Sequence, residues 1–335
     1  MKRLCIFYPP LGRKSGGTEV LLQLAGNSLD LGVETLLGFW EPPDAPLAKE
    51  LSARGLVWCL CKDLHLGPDA VWLVPDGWVN ALSLGFQTKA RSVLYCQNWA
   101  YLFDGLPENV RWHDLPVEFL AVSHPVALFM EEVLGNRPCI VRPYIDETLF
   151  HPPARKPRTP SVRIAYMPRK NSRLVNQVQR IVGERRPDVS AQIQWVGIQG
   201  KPRSEVAALL RTCHLFLVTG FPEGCPLPPL EAMACGTIPL GFTGLGGWDY
   251  MRQTGSERYA PPFAVRPVAW KDNGRFYPDG EVLGLARGVE EMVLGVLEKH
   301  AQIEAIVHAG RETAMAYNKV RQQDELERWI EELRS

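Results

Sequence analysis

The sequence predicts an α/β protein of two domains, each a parallel sheet with helices on both faces. Two observations carry this. Short apolar runs of strand length alternate with longer stretches of helix length, which is the signature of repeated βα units. The chain is also long for one domain, at 335 residues, and is punctuated by Ala154-Arg155-Lys156-Pro157-Arg158-Thr159-Pro160. That stretch is basic and proline-rich and reads as an interdomain linker.

Taken in order, the first half opens with a buried strand over 4–8. A turn-rich loop follows, Pro9-Pro10-Leu11-Gly12-Arg13-Lys14-Ser15-Gly16-Gly17, and then an apolar helix over 18–31. Glycines in such a loop let the backbone approach a ligand, and Arg13 and Lys14 add positive charge. The spacing is not the G-x-G-x-x-G fingerprint, so no dinucleotide is inferred. Further strands are expected over 33–39, 56–60, 70–74, 92–96 and 118–122, with helices over 45–54, 78–86 and 125–134. Ligands of open parallel sheets sit beyond the carboxyl ends of the strands. The residues there are Asp76-Gly77-Trp78, Gln97-Asn98-Trp99 and Ser123-His124. The aromatic run Trp99, Tyr101 and Phe103 fits either a ligand groove or core packing.

The second half starts with a strand over 162–167, the turn Pro168-Arg169-Lys170-Asn171-Ser172-Arg173, and a helix to about residue 186. Cations at a helix N-terminus are disfavoured unless an anion bridges them to the dipole, so three of them there point to an anionic ligand. A strand over 193–197 ends in Gly197, and a helix fills 204–212. Next comes the apolar run 214–218, then Phe221-Pro222-Glu223-Gly224-Cys225-Pro226-Leu227-Pro228-Pro229-Leu230-Glu231-Ala232-Met233-Ala234-Cys235-Gly236. A helix from about 228 to 236 suits the proline at its first turn and the glycine past its end. Its N-terminus lies at the carboxyl edge of the sheet, a position that favours phosphate. Glu223 on the loop and Glu231 on the helix are expected to flank one phosphate-sized opening. A second glycine loop, Gly241 to Trp248, precedes a short helix, and from Gly280 the chain reads as mostly helical, ending in the charged amphipathic stretch 324–333.

Composition restricts the partners. The 37 basic residues balance 37 acidic ones, so charge gives no support for nucleic acid or an anionic membrane. Eight cysteines are scattered without a C-x-x-C pair, which argues against a zinc site or disulfide framework. No apolar run approaches the ~20 residues of a membrane span, and the start is unlike a signal peptide. The expectation is a cytoplasmic enzyme, with peripheral membrane contact left open.

Glu223 and Glu231 with the Ala-Met-Ala-Cys-Gly that follows resemble the E-x7-E signature of retaining GT-B glycosyltransferases, family-4 type. Further matches are Ile145, Asp146, Phe150 and Pro152 of the closing segment of that family's first domain. Arg169 corresponds to its Gly-Arg, with Pro168 in place of glycine. The resemblance implies two Rossmann-like domains facing across a cleft: an acceptor domain over 1–153, a donor domain over 161–318, and a last helix over 319–335 crossing back onto the first.

It also implies roles. Arg169, with Lys170 or Arg173, would neutralise the donor diphosphate, Glu231 would hold the ribose hydroxyls, and Glu223 would orient the sugar. Gly16, Gly17, Gly197, Gly224, Cys225, Pro226 and Leu227 would complete the donor site. Gln97, Asn98 and Trp99 would face the acceptor. Where many members carry a histidine, this chain offers Gln97, whose amide is no base at neutral pH, and His124 is the alternative. The implied reaction is retaining transfer from a UDP-, GDP- or ADP-sugar to an acceptor hydroxyl, with no cofactor and no metal. Two other readings share these motifs: a GT-B sugar-nucleotide epimerase, and a non-catalytic sugar-nucleotide or glycan-binding protein. The acceptor itself is not identified by any residue.

Overall fold

A computed structural model of the chain describes residues 3–12, 15–156, 159–253 and 271–334. Arg13 and Lys14 of the first loop, and Pro157 and Arg158 of the linker, lie outside the described residues. The chain divides into two units, Met1–Tyr144 with Lys319–Ser335, and Ile145–Asn318.

The first unit is a seven-stranded sheet ordered β3-β2-β1-β4-β5-β6-β7, with every pairing parallel. Its strands are β1 (Arg3–Phe7), β2 (Glu34–Phe39), β3 (Val57–Leu60), β4 (Ala70–Pro75), β5 (Arg91–Cys96), β6 (Val117–Ala121) and β7 (Cys139–Ile140). Its helices are α1 (Gly16–Asp30), α2 (Ala45–Ala53), α3 (Leu82–Thr88) and α4 (His124–Leu134). Central strands are apolar on both sides because helices cover both faces, so β1 after Arg3 and the whole of β4 read as unbroken apolar runs. Two-residue β7 is too short for any periodicity to reveal it. The expected helix over 78–86 is a 3-10 turn at Val79–Ala81 followed by α3.

The last helix, α11 (Lys319–Arg334), belongs to this first unit. A buried polar network holds it there. Glu325 accepts from the Arg142 guanidinium at 2.5 Å and from the Arg142 backbone N–H at 2.8 Å. Gln322 donates to the Arg142 carbonyl at 2.7 Å and accepts from Asn27 of α1 at 2.6 Å. Buried charge is tolerable only when paired and hydrogen-bonded, and here both partners are.

The second unit has a five-stranded parallel sheet ordered β12-β11-β10-β8-β9. Its strands are β8 (Val162–Tyr166), β9 (Ile193–Gly197), β10 (Leu215–Val218), β11 (Ile238–Phe242) and β12 (Arg275–Tyr277). Around it lie α5 (Ser172–Arg185), α6 (Pro187–Ser190), α7 (Arg203–Thr212), α8 (Leu227–Ala234), α9 (Val282–Glu298) and α10 (Ala301–Met315). Val175, Val178 and Val182 recur on one face of α5 and pack with Leu285, Val289 and Val293 of α9 over β8, β10 and β11. Residues 145–153 pack in this unit: Phe150 is buried, and Arg211 donates to the Leu149 carbonyl at 2.9 Å.

Both sheets reverse strand order once, between β1 and β4 in the first and between β8 and β10 in the second. Loops leaving adjacent strands at such a point diverge to opposite faces and open a crevice. These two places position the candidate site residues.

Candidate functional site

In the second unit the reversal brings together the turn after β8 and the loop after β10. The Lys170 ammonium donates to Glu223 Oε1 at 2.8 Å and to the Pro222 carbonyl at 3.1 Å. Arg169, Lys170, Glu223 and Pro226 line one recess of about 60 Å³, room for a phosphate-sized group rather than a whole nucleotide sugar. Arg169 is exposed at its rim, and Arg173 is exposed in the first turn of α5. Gly197 ends β9, and a Cβ there would lie 3.3 Å from the Tyr166 hydroxyl oxygen.

The Glu223 loop is held from two sides. Asn171, in the left-handed conformation, donates its amide to the Thr219 carbonyl at 2.9 Å and the Phe221 carbonyl at 3.2 Å. On the far side the second glycine loop pairs with it: Glu223 N–H donates to the Gly244 carbonyl, and Gly246 N–H to the Glu223 carbonyl, each at 3.0 Å. The Asp279 carboxylate, beyond β12, accepts from Gly244 N–H at 2.9 Å and fixes that loop in turn. Neither Asn171 nor Asp279 is marked in the sequence by any spacing, since each acts through the backbone of a distant loop. Asp279→Ala is therefore expected to lower the melting temperature, and Asp279→Asn, which keeps an acceptor oxygen, to restore most of it.

Glu231 lies on α8, close to the first residue of α7. Its side chain accepts from Arg203 of α7 at 3.5 Å, and Arg203 itself lies over the Phe150 ring, 5.3 Å from its centroid. Glu223 lines the small recess and Glu231 does not. Glu231 is the fifth residue of α8 and is buried there. Arg203, the first residue of α7, was not singled out by sequence.

The mouth of α8 also differs from an ordinary phosphate-binding helix. Pro226 is its N-cap residue and Pro228 and Pro229 fall in its first turn. None of the three has an N–H to give. Among residues 224–229 only Gly224, Cys225 and Leu227 carry one. The Pro226 carbonyl accepts from the buried Tyr250 hydroxyl at 2.5 Å, which anchors this proline-rich turn from behind.

In the first unit, Gly16 and Gly17 are the first residues of α1 and not part of the preceding loop; Ser15 caps the helix through a reciprocal pair with Thr18. A Cβ on Gly17 would lie 2.4 Å from Gln97 Oε1, and the Gln97 amide donates to the Gly17 carbonyl at 3.2 Å. Gly17 thus makes room for a side chain of its own unit. Asp76, at the end of β4, accepts from the backbone N–H of Gln97 at 2.8 Å and of Asn98 at 3.1 Å. Gln97, Asn98, Asp76 and Gly17 therefore form one cluster at the β1/β4 reversal.

The other candidates lie beside it. Trp99 packs its ring on Phe129, centroids 5.6 Å apart, while Tyr101 and Phe103 are exposed. His124, the first residue of α4, has its ring nitrogens 3.2 and 3.4 Å from Arg137. The structure brings Gln97, not His124, to the Gly17 cluster.

Burial pushes the Asp76 carboxyl up to about 7, against the two backbone donors that lower it. The folded state then holds a proton that the unfolded chain releases near 4. This contribution to stability is complete below about pH 4 and is lost as pH rises through 7. The difference is at most about 4 kcal/mol. Between pH 4.5 and 8, native protein is expected to lose stability relative to Asp76→Asn, read as the change in their melting-temperature difference.

Comparison with known proteins follows the same lines. Residues 186–259 match the family model of glycosyl transferases group 1. No curated protein sequence matches the chain. Among solved structures, Anabaena Alr3699/HepE in complex with UDP and glucose is similar over 98% of this chain and 100% of its own, at 13% identity and a TM-score of 0.67. TarM is similar over 99% and 98%, at 9% identity and a TM-score of 0.70. The lipopolysaccharide outer core galactosyltransferase WaaB is similar over 98% and 99%, at 13% identity and a TM-score of 0.62. At these identities the likeness shows the GT-B fold over the whole chain, and the family match falls on the segment carrying Glu223 and Glu231.

Proposed function

We infer that this chain, a glycosyltransferase of the group 1 type on the GT-B fold, moves a sugar from a nucleotide-sugar donor to an acceptor hydroxyl. Transfer retains the anomeric configuration and needs no metal. The observation that carries the reading is the Lys170–Glu223 ion pair beside Arg169 at the strand reversal. It supplies positive charge where a leaving diphosphate gains negative charge. Since α8 presents few N–H groups, these cations replace much of what a helix mouth gives elsewhere.

In this mechanism the bond from the sugar's anomeric carbon to the diphosphate oxygen breaks. The acceptor oxygen bonds to that carbon on the same face, and its proton passes to the leaving phosphate oxygen. No protein base is required, which suits an amide at Gln97. Lys170 is shared between Glu223 and the diphosphate, so donor binding frees the Glu223 carboxylate to accept from sugar hydroxyls. Arg203 orients Glu231 toward the ribose. Gln97, Asn98 and Trp99 serve the acceptor. HepE was solved with UDP-glucose, which makes UDP-glucose the first donor to try. All eight cysteines are free thiols, as suits a reducing, cytoplasmic compartment.

Thermal shift against UDP, GDP, ADP, CMP and their sugars tests the reading, because a ligand of the folded state raises the melting temperature by mass action. One nucleoside diphosphate and its sugar should stabilise the protein, and Glu231→Ala should abolish the effect. Absence of a shift with every nucleotide overturns the assignment.

A further inference from the structure

The second unit holds a second recess, of about 390 Å³, at the opposite, amino edge of its sheet from Arg169 and Glu223. Part of its lining is apolar: Ile238 at the start of β11, Val296 near the end of α9, and Ile303 and Val307 on α10. Its size falls within the range of small-molecule sites. At one side stand two polar groups whose orientation the fold dictates. His214 Nδ1 accepts the backbone N–H of Arg163 at 3.1 Å. A neutral imidazole accepting at Nδ1 must carry its proton on Nε2. Lys156, beside it, has its ammonium held by the Cys213 carbonyl and by Thr237 Oγ1, the latter at 3.0 Å.

Burial lowers both groups, His214 to about 4 and Lys156 to about 8, with the charges of Lys156 and Arg163 adding to the fall of His214. At neutral pH the wall thus offers a neutral N–H donor beside a mostly charged ammonium. Arg311 and Lys299 also line the recess, against the single carboxylate of Glu304.

We propose that this recess binds an amphipathic anion, a carboxylate or phosphate monoester with an apolar tail of several carbons. The head takes the Lys156 ammonium and the His214 Nε2–H, and the tail lies along Ile303 and Val307. The apolar walls give affinity through burial of the tail's methylenes. The cations select a negative head, so a neutral alcohol of equal length is a poor ligand. Nothing in this inference depends on the sugar-transfer reading, since none of these residues lines the other recess.

The test uses the full chain with octanoate, octyl phosphate, octanol and inorganic phosphate, each below its micelle concentration. Expected is a dose-dependent rise in melting temperature with octanoate or octyl phosphate, a smaller one with octanol, and none with inorganic phosphate. The stronger of the two anions identifies the head group. Val307→Trp, which fills the recess, should abolish the shift and leave the response to nucleotides intact. Long-range proton–nitrogen spectra should show His214 as the Nε2–H tautomer at pH 7, with its Nε2 signal moving on titration. Equal shifts with octanol and the anions, an unchanged response in Val307→Trp, or an Nδ1–H tautomer overturns the proposal.

Discussion

Arg169→Ala is expected to weaken binding of the nucleoside diphosphate about 10- to 100-fold, the cost of about 1.5–3 kcal/mol for a lost charge-assisted hydrogen bond. The reasoning starts from the prolines. With no N–H at Pro226, Pro228 or Pro229, the mouth of α8 is short of donors for phosphate oxygens. Lys170 is already engaged by Glu223 at 2.8 Å, so part of its interaction with a diphosphate is offset by the bond it gives up. Arg169 lines the same recess from its exposed rim, and its planar fork matches phosphate geometry. Titration calorimetry with UDP reads the loss directly. Arg169→Lys should recover only part of it, because a point charge cannot make the bidentate contact. Affinity carried by side-chain charge is also screened, so native binding should weaken between 0.05 and 0.5 M salt more steeply than binding to Arg169→Ala. An unchanged UDP affinity in Arg169→Ala would place the diphosphate elsewhere.

The sequence already contained most of this fold, because buried parallel strands and their covering helices leave strong local signals. Strand 193–197 is found to the residue, and the other long strands lie within two residues of their expected ends. What escaped was non-local. Two short edge strands, Cys139–Ile140 and Arg275–Tyr277, carry no period to read. Arg142 and Glu325 lie 183 positions apart, and only the folded chain shows that α11 docks by burying that pair.

The candidate site divides in the same way. Glu223 was marked by the E-x7-E resemblance and Arg169 and Lys170 by their cationic turn before a helix, and the structure brings the three to one recess. The residues that hold them were not so marked. Asn171 was read only as part of a basic turn, yet its amide ties that turn to the Glu223 loop. Arg203 and Asp279 act on Glu231 and on the glycine loop through space. The carboxylate pair was legible as a motif, and the contacts of each member were not. Spacing places Glu223 and Glu231 in one stretch, while the direction of each side chain depends on what packs against the helix.

The glycines after β11 give the largest expected effect on the protein itself. A Cβ on Gly246 would lie 2.0 Å from the Gly224 carbonyl oxygen and 2.5 Å from that of Glu223. Both are backbone atoms, so no rotamer change relieves the clash. The loop 243–247 must move away from the loop 221–225, breaking the bonds between Glu223, Gly244 and Gly246. Gly246→Ala is therefore expected to destabilise the second unit by about 3 kcal/mol or more, at the upper end of overpacking costs. It should also abolish transfer, since Glu223 sits in the displaced segment. Gly26→Ala is the control: it lies inside α1, a Cβ there meets nothing within 4 Å, and alanine is the better helix former by about 1 kcal/mol. Its melting temperature should rise slightly with activity unchanged. The two readouts separate the roles of Gly246. If it served only the loop's flexibility, alanine would leave the melting temperature near native. A large fall together with lost transfer ties Glu223 to the close contact of two backbones, a contact that only glycine permits.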